Sequence, residues 1–396
     1  MTEGLKRQLG LGLLVAYGVG IMVGAGIYVL VGAAAGAAGV WAPLSFLLAG
    51  LVSVPTALSF SELAARIPEA AGDSSYVEVG LHRHGLAVFV GWINVVAGTV
   101  ASAAVLRGGV GYLVSVVPVG FELAVIGLGV AMTLIALVGA LESLVFAALM
   151  TAAEVLGLLL VSWVGFAAAP VAEWTAPQAP EWSGVAAATL FAFFAFIGFD
   201  DLVNMAEEAR RPRHSMPRAI LIALAITAVL YMTVSMAAVR SVDRDLLGAS
   251  ERPLALVWEV TTGRSAAFLS LIAVAAALNG VLAQIVMAAR VLYGLGKRSP
   301  GFRLFRHAHP RFGTPVLATV LIGAVVIASA LTMPVAALAE ITSLALLIVF
   351  AIVNSALIGL KRQVPEAPFR VPGYVPWLGL FGSLAAFAAA LAGGGG

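Results

Sequence analysis

Leu13-Leu-Val-Ala-Tyr-Gly-Val-Gly-Ile-Met-Val-Gly-Ala-Gly-Ile-Tyr-Val-Leu-Val31 is an apolar run long enough to cross a membrane, and glycine interrupts it near the middle, at Gly24-Ala25-Gly26. A second run, Val185–Ala206, breaks around Ile197-Gly198-Phe199. Unwinding a helix in hydrocarbon frees backbone N–H and C=O groups that lipid cannot satisfy. Such a break is tolerated only where protein buries it or water reaches it. Interrupted apolar segments at corresponding places in two halves of a chain are the best sequence pointer to a midplane site for a transported solute.

The rest of the chain agrees with a membrane reading. Of 396 residues, 61% are hydrophobic and 11% charged, which is the usage of a polytopic membrane protein. At about 20 apolar residues per crossing, eleven spans are expected, at 13–32, 42–66, 86–114, 122–140, 145–168, 185–206, 217–239, 265–295, 315–332, 335–360 and 375–392. Met1–Gln8 is short and polar and the first apolar run is too long for a signal-peptide core, so no cleaved leader is expected. The chain has no cysteine, hence no disulfide or thiol chemistry. It carries no zinc motif, no phosphate loop and no Ser/His/Asp constellation, so an enzyme is not expected, nor any cofactor or metal. A channel would need a continuous polar pore, and Glu154, Asn279, Gln284 and Asn354 are too sparse to line one.

Lys and Arg near span ends set orientation. With the N-terminus inside, seventeen of the 22 fall on the inner face, among them Lys6, Arg7, Arg66 and the clusters Arg210–Arg218, Lys297–Arg311 and Lys361–Arg370. Five, Arg107, Arg240, Arg244, Arg252 and Arg264, fall outside. A cytoplasmic N-terminus in a plasma or inner membrane is therefore expected. The basic clusters read as topology signals and lipid-headgroup contacts rather than a nucleic-acid surface. The breaks fall in spans 1 and 6. This divides a single membrane domain into repeats of opposite orientation at 11–168 and 184–360, with an extra helix at 375–392. The outer loop Ser241–Gly263 holds an apolar stretch, Leu254–Val260, read as a short helix over the outer mouth.

Four stretches resemble the amino acid–polyamine–organocation superfamily, and most of all its cationic-amino-acid-transporter-like branch. They are Gly20–Leu30, Ser59–Glu69, the run Phe193–Asp200 with Ala206-Glu-Glu208 and Met216-Pro-Arg218, and the segment from Leu278-Asn279 to Arg290-Val-Leu-Tyr293. The resemblance implies an all-α fold of five plus five helices in an inverted repeat with helices 1 and 6 broken. It also implies secondary transport of amino acids by alternating access. The sequence departs from the family in two places. Ala70-Ala-Gly-Asp-Ser-Ser75 stands where paired glycines are usual, and Glu154 stands where several members carry a lysine in span 5.

A zwitterionic substrate needs opposite charge complements at its two ends. Freed N–H groups of Gly24, Ala25 and Gly26, at the start of a half-helix, suit the carboxylate. The carbonyls of Gly20, Val23, Phe194, Ala195 and Ile197 suit the ammonium, with Gly198 providing the second break. The wall near Phe196 and Phe199 reads as apolar, which favours a neutral side chain, while Asp200 and Asp201 are acidic candidates. The alternative is that the glycines serve close helix packing.

Glu154 lies about eight residues into span 5, roughly 12 Å along the helix. A charge at such depth costs about 2.5–3.5 kcal/mol on insertion scales, and burial favours the protonated carboxyl. Glu154 is thus the candidate proton-coupling residue, with Asn279 on span 8. A permanently neutral, hydrogen-bonded Glu and a sodium ligand are the alternatives, so the coupling ion is expected to be a proton with sodium open. Arg107 in span 3 and Glu340 in span 10 are paired as a candidate outer gate, with snorkelling of Arg107 as the alternative. Glu62, Glu207, Glu208 and the inner arginines read either as an ion-pair network or as solvated charge. Symport and exchange, and the oligomeric state, are left open.

Overall fold

In hydrocarbon, an apolar segment of about 20 residues has one self-sufficient form, the α-helix, because it pairs every backbone group internally. The computed structural model, which describes residues 9–67, 72–139, 144–206, 209–309 and 313–393, is helical throughout apart from an isolated bridge between Leu9 and Ala209. Helices α1 (Leu11–Val23) and α2 (Ala25–Ala38) make the first span, and α3 (Ala42–Arg66) returns. The short α4 (Gly72–Leu81) precedes the long α5 (His84–Val114), followed by α6 (Phe121–Val138) and α7 (Leu144–Ala167). After the single turn α8 (Ala172–Thr175), α9 (Trp182–Phe196) leads into the second break and a tight turn, Asp201–Met205. Then come α10 (Pro212–Ser241), two short helices α11 (Arg244–Gly248) and α12 (Pro253–Thr262), and α13 (Ala267–Arg298). The chain closes with α14 (Val316–Thr332), α15 (Val335–Gln363) and α16 (Val375–Gly393).

Eight segments are long and apolar enough to cross a membrane, one of them, Gly26–Arg66, taking in both α2 and α3 on either side of the turn at Gly39–Trp41. The shorter apolar helices α1, α14 and Val375–Leu391 take the first, ninth and last places, so the expected order of spans is kept. Basic residues close α3 (Arg66), α13 (Lys297, Arg298) and α15 (Lys361, Arg362), and this side of the molecule is the basic face. There they also complement the negative helix ends. Lys6, Arg7, Glu207, Glu208 and Arg311 lie outside the described residues.

Several buried polar side chains within the spans are satisfied by backbone carbonyls or by one another, as a dry environment favours. Ser53, Ser61 and Thr99 donate to the carbonyl four residues earlier. At the far end of α10, Arg240 donates to the Gly165 and Ala168 carbonyls, covering acceptors that the end of α7 leaves open. Asn354 of α15 donates to Thr56 and accepts from Ser59, tying the middle of α15 to α3.

The core divides in two. One apolar cluster gathers α1, α2, α3, α9, α10, most of α15 and parts of α7 and α13, the other gathers α6, α14 and most of α13, and α5 contributes residues to both. α5 packs along α13 and α15, while α10 packs along α3 and α7.

Candidate functional site

Helix α1 ends at Val23, and α2 begins only two residues later, so the first break is Gly24 alone rather than the three-residue Gly24-Ala25-Gly26. The second break is wider. α9 stops at Phe196, and Gly198 takes φ +125°, a conformation that L side chains rarely adopt. The two breaks meet. A Cβ added at Gly198 would overlap the Ile21 side chain, and one at Gly26 would lie 3.3 Å from the Ala195 Cα. Glycine is demanded at Gly198 by its φ and by the Ile21 side chain, and at Gly26 its small size lets the two broken spans pack tightly. The close-packing alternative is met at both glycines.

The structure redistributes the expected backbone donors and acceptors. Gly24 N–H donates to the Gly20 carbonyl at 3.2 Å, and Ile197 N–H donates to the Phe194 carbonyl at 3.1 Å. The Ala195 carbonyl accepts from the Tyr231 hydroxyl at 2.9 Å. Gly24 N–H and the Gly20, Phe194 and Ala195 carbonyls therefore already have partners within the protein. Helix α2 starts at Ala25, so the N–H groups of Ala25 and Gly26 stand in its first turn, where an α-helix leaves its donors without intrahelical partners. The Val23 carbonyl, in the last turn of α1, is the corresponding open acceptor. Phe196 and Phe199 are not cavity walls: both are buried, Phe196 against Tyr231 and Phe199 against Phe60 and Phe350.

Glu154 of α7 is 3% exposed, beside the first break. Tyr28 of α2 donates to its backbone carbonyl at 2.7 Å, and the carboxyl lies within electrostatic reach of the Tyr28 and Tyr231 hydroxyls. Thr151, one turn away, packs on Gly20. Asn279 is half-buried on α13, and among the described residues it makes no hydrogen bond to Glu154.

A cavity of about 450 Å³ runs from the basic face to the second break. Of the nominated binding residues only Ile197 lines it, and its polar wall is carried by Asp73, Asn94, Asp200, Asp201 and Gln284. Its rim at the basic face carries Glu78, His84 and Arg298. Residues from both apolar clusters contribute, Ala97 and Leu346 from one, Ala101 and Ala288 from the other, so the cavity follows the seam between them. Asp200 caps the break, its Oδ1 accepting Gly198 N–H at 3.0 Å. Asp73, in the first turn of α4 between spans, accepts from Asn94 at 2.8 Å. Burial pushes the Asp73 carboxyl from 3.8 up to about 7, the nearby charge of Asp200 adds to this, and the Asn94 hydrogen bond works against it. Asp73, Asn94 and Tyr231 were not legible from spacing. The available signal was the cost of polar groups in apolar surroundings, which makes each of them a candidate.

The expected outer pair does not form. Arg107 donates to the Ala330 carbonyl at 2.7 Å and lies over the Phe121 ring at 5.0 Å, and no ion pair joins it to Glu340 among the described residues. Arg107 satisfies the open end of α14 instead. Glu62, by contrast, is fully buried and pairs with Arg66 and with Lys361 at 2.7 Å, while accepting Val371 N–H at 2.8 Å. On the far side, Tyr112 of α5 donates to the Tyr28 carbonyl at 2.6 Å and accepts from Leu254 N–H at 3.3 Å, which fixes α12 over α2. The expected short helix in Ser241–Gly263 is α12. No cluster of metal-ligating side chains occurs among the described residues.

An all-helical polytopic fold whose first and sixth spans break at one point defines a class of membrane transporter. Comparison with known proteins narrows this: the amino acid permease family matches residues 9–393, and the chain belongs to it. Human cationic amino acid transporter 4 is 32% identical over 350 residues, 82% of this chain and 55% of the relative. The methylthioribose transporter of Bacillus subtilis is 29% identical over 87% of this chain and 78% of its own length. The branched-chain amino acid permease BcaP of the same organism is 27% identical over 94% and 85%. The chain thus spans about half the length of the human relative and most of the bacterial ones.

Proposed function

We propose that this protein is a proton-coupled symporter of neutral amino acids that works by alternating access. The observation that carries the reading is the cavity reaching from the basic face to the second helix break, beside a first break whose α2 amides suit a carboxylate. The substrate carboxylate lies at Ala25 and Gly26, and its ammonium at the Val23 and Ile197 carbonyls. Glu154, buried at the span 1 contact, carries the coupling proton. A sodium ion at the same carboxylate is the competing coupling mode. The basic face is cytoplasmic, in a plasma or inner membrane, and lipid headgroups contact its arginines. Rocking occurs between the elements on either side of the cavity, along the seam between the two apolar clusters.

One observation favours a second substrate class. Asp73, Asp200 and Asp201 line the cavity, and they suit a substrate bearing a second positive charge, such as the cationic amino acids in the name of the human relative. The relatives' names also include a branched-chain substrate and methylthioribose, so all three chemistries belong in one panel.

The experiment is uptake of labelled neutral amino acids, cationic amino acids and methylthioribose into proteoliposomes, with and without an inward proton gradient, and with and without preloading. Proton-stimulated uptake of a neutral amino acid is the expected result. Preference for a cationic one moves the reading to the acidic wall, and uptake only into preloaded vesicles makes the protein an exchanger. Sodium-dependent uptake without proton stimulation overturns the coupling ion. Absence of saturable uptake in folded protein overturns transport.

A further inference from the structure

Tyr231 sits about two thirds of the way along α10, fully buried, its ring edge-on to Phe46 and Phe196 with centroids 5.9 and 5.1 Å away. Its hydroxyl faces two acceptors at once, the Met22 carbonyl in the last turn of α1 and the Ala195 carbonyl, 2.9 Å away, in the last turn of α9. Each is among the last four carbonyls of a helix that stops at a break, so neither has a complete intrahelical partner. Both half-helices present their C-terminal, partially negative ends here. Two like poles thus converge on one neutral donor. A phenol has a single hydrogen to give, so this one hydroxyl is shared between the two broken spans.

We infer that Tyr231 is the positioning residue of the substrate site: its shared hydroxyl hydrogen ties the ends of α1 and α9 together, so that both breaks move as one unit. The ring contacts alone do not require tyrosine, because phenylalanine would fill the same space against Phe46 and Phe196. The hydroxyl is the part that reaches the breaks. Where the two breaks touch directly they do so through glycine, Gly26 against Ala195 and Gly198 against Ile21, positions with no side chain to donate. The tie also sets which acceptors remain for a substrate. It occupies Met22 and Ala195 and leaves the Val23 and Ile197 carbonyls facing the ammonium position. That last step rests on the proposed transport function, whereas the tie between the helices does not.

The test is Tyr231→Phe in the full chain, purified into lipid nanodiscs, with amide hydrogen exchange followed by mass spectrometry without substrate. Exchange is expected to rise about tenfold in peptides covering 20–28 and 194–202 together, with the rest of the chain unchanged. Faster exchange at one break only, at neither, or across the whole chain overturns the inference. In proteoliposomes, KM is expected to rise about tenfold while Vmax per folded protein stays within about twofold. A merely structural role would lower Vmax and leave KM alone, and that result also overturns the inference. Phe46→Leu, which alters the ring contact but spares the hydroxyl, should leave KM and break exchange near wild type; matching the Tyr231→Phe effects would assign them to packing and overturn the tie. If wild-type protein moves no amino acid, the transport reading fails on its own, and hydrogen exchange still decides the tie.

Discussion

At Gly198 the chain adopts φ +125°, pressed against Ile21, and a methyl group at that position both strains the backbone and collides with the first span. Gly198→Ala should cost about 1–3 kcal/mol and reduce uptake more steeply than it lowers the amount of folded protein, as transport assays normalised to folded protein will read. Glu154→Gln keeps the size of the side chain and removes its titration. Uptake should then lose its response to a proton gradient while exchange of preloaded substrate persists; an unchanged pH dependence removes Glu154 from coupling. Asp73 gives a prediction of definite sign. Its carboxyl titrates at about 7 in the folded protein against an ordinary 3.8, so between these values the folded state holds a proton that the unfolded state has released. Stability through this group is therefore greatest below about pH 4 and falls as pH rises to about 7. Thermal midpoints measured across that window should decline in wild type and flatten in Asp73→Asn.

At the scale of elements, the part facing away from the basic side is a short helix laid over a broken one. α12 begins at Pro253, favourable in a first turn, and ends at Gly263 in a left-handed conformation. What holds it down is Tyr112, which bonds the Tyr28 carbonyl and Leu254 N–H together. Tyr28 in turn reaches the backbone of Glu154, so four elements, α12, α5, α2 and α7, share a short relay of hydrogen bonds. Tyr112→Phe removes the hydroxyl and keeps the ring. Because the chain has no cysteine, a single Leu256→Cys on α12 serves as a clean reporter. Its labelling by a thiol reagent should be about 5–10-fold faster in the Tyr112→Phe background, the loss of roughly one hydrogen bond. An unchanged rate would mean that α12 is held by packing alone.

Across the whole molecule, the buried ion cluster at the basic face ties together segments far apart in the chain. Glu62, fully buried, pairs with Arg66 one turn on in α3, joins α3 to the end of α15 through Lys361, and binds the chain ahead of α16 at Val371. Removing one partner leaves uncompensated buried charge. Glu62→Gln should therefore destabilise the protein by about 3–5 kcal/mol, read as a lowered thermal midpoint, with Glu62→Asp less affected. Much of the fold was legible in the chain: hydrocarbon admits few backbone forms, so runs such as Leu13–Val31 and Val185–Ala206 announced both spans and breaks. The gathering of basic residues at the ends of α3, α13 and α15 and the short helix within Ser241–Gly263 were likewise set by local composition. Which groups meet was not local. Arg107 satisfies the end of α14 rather than Glu340, Phe196 and Phe199 pack rather than line a cavity, and Asp73, Asn94 and Tyr231 converge on the breaks from three separate helices. Helix period and hydropathy fix how each segment lies in the membrane. The rotation of each helix about its own axis is set by its neighbours, and that rotation decides which side chains reach the site.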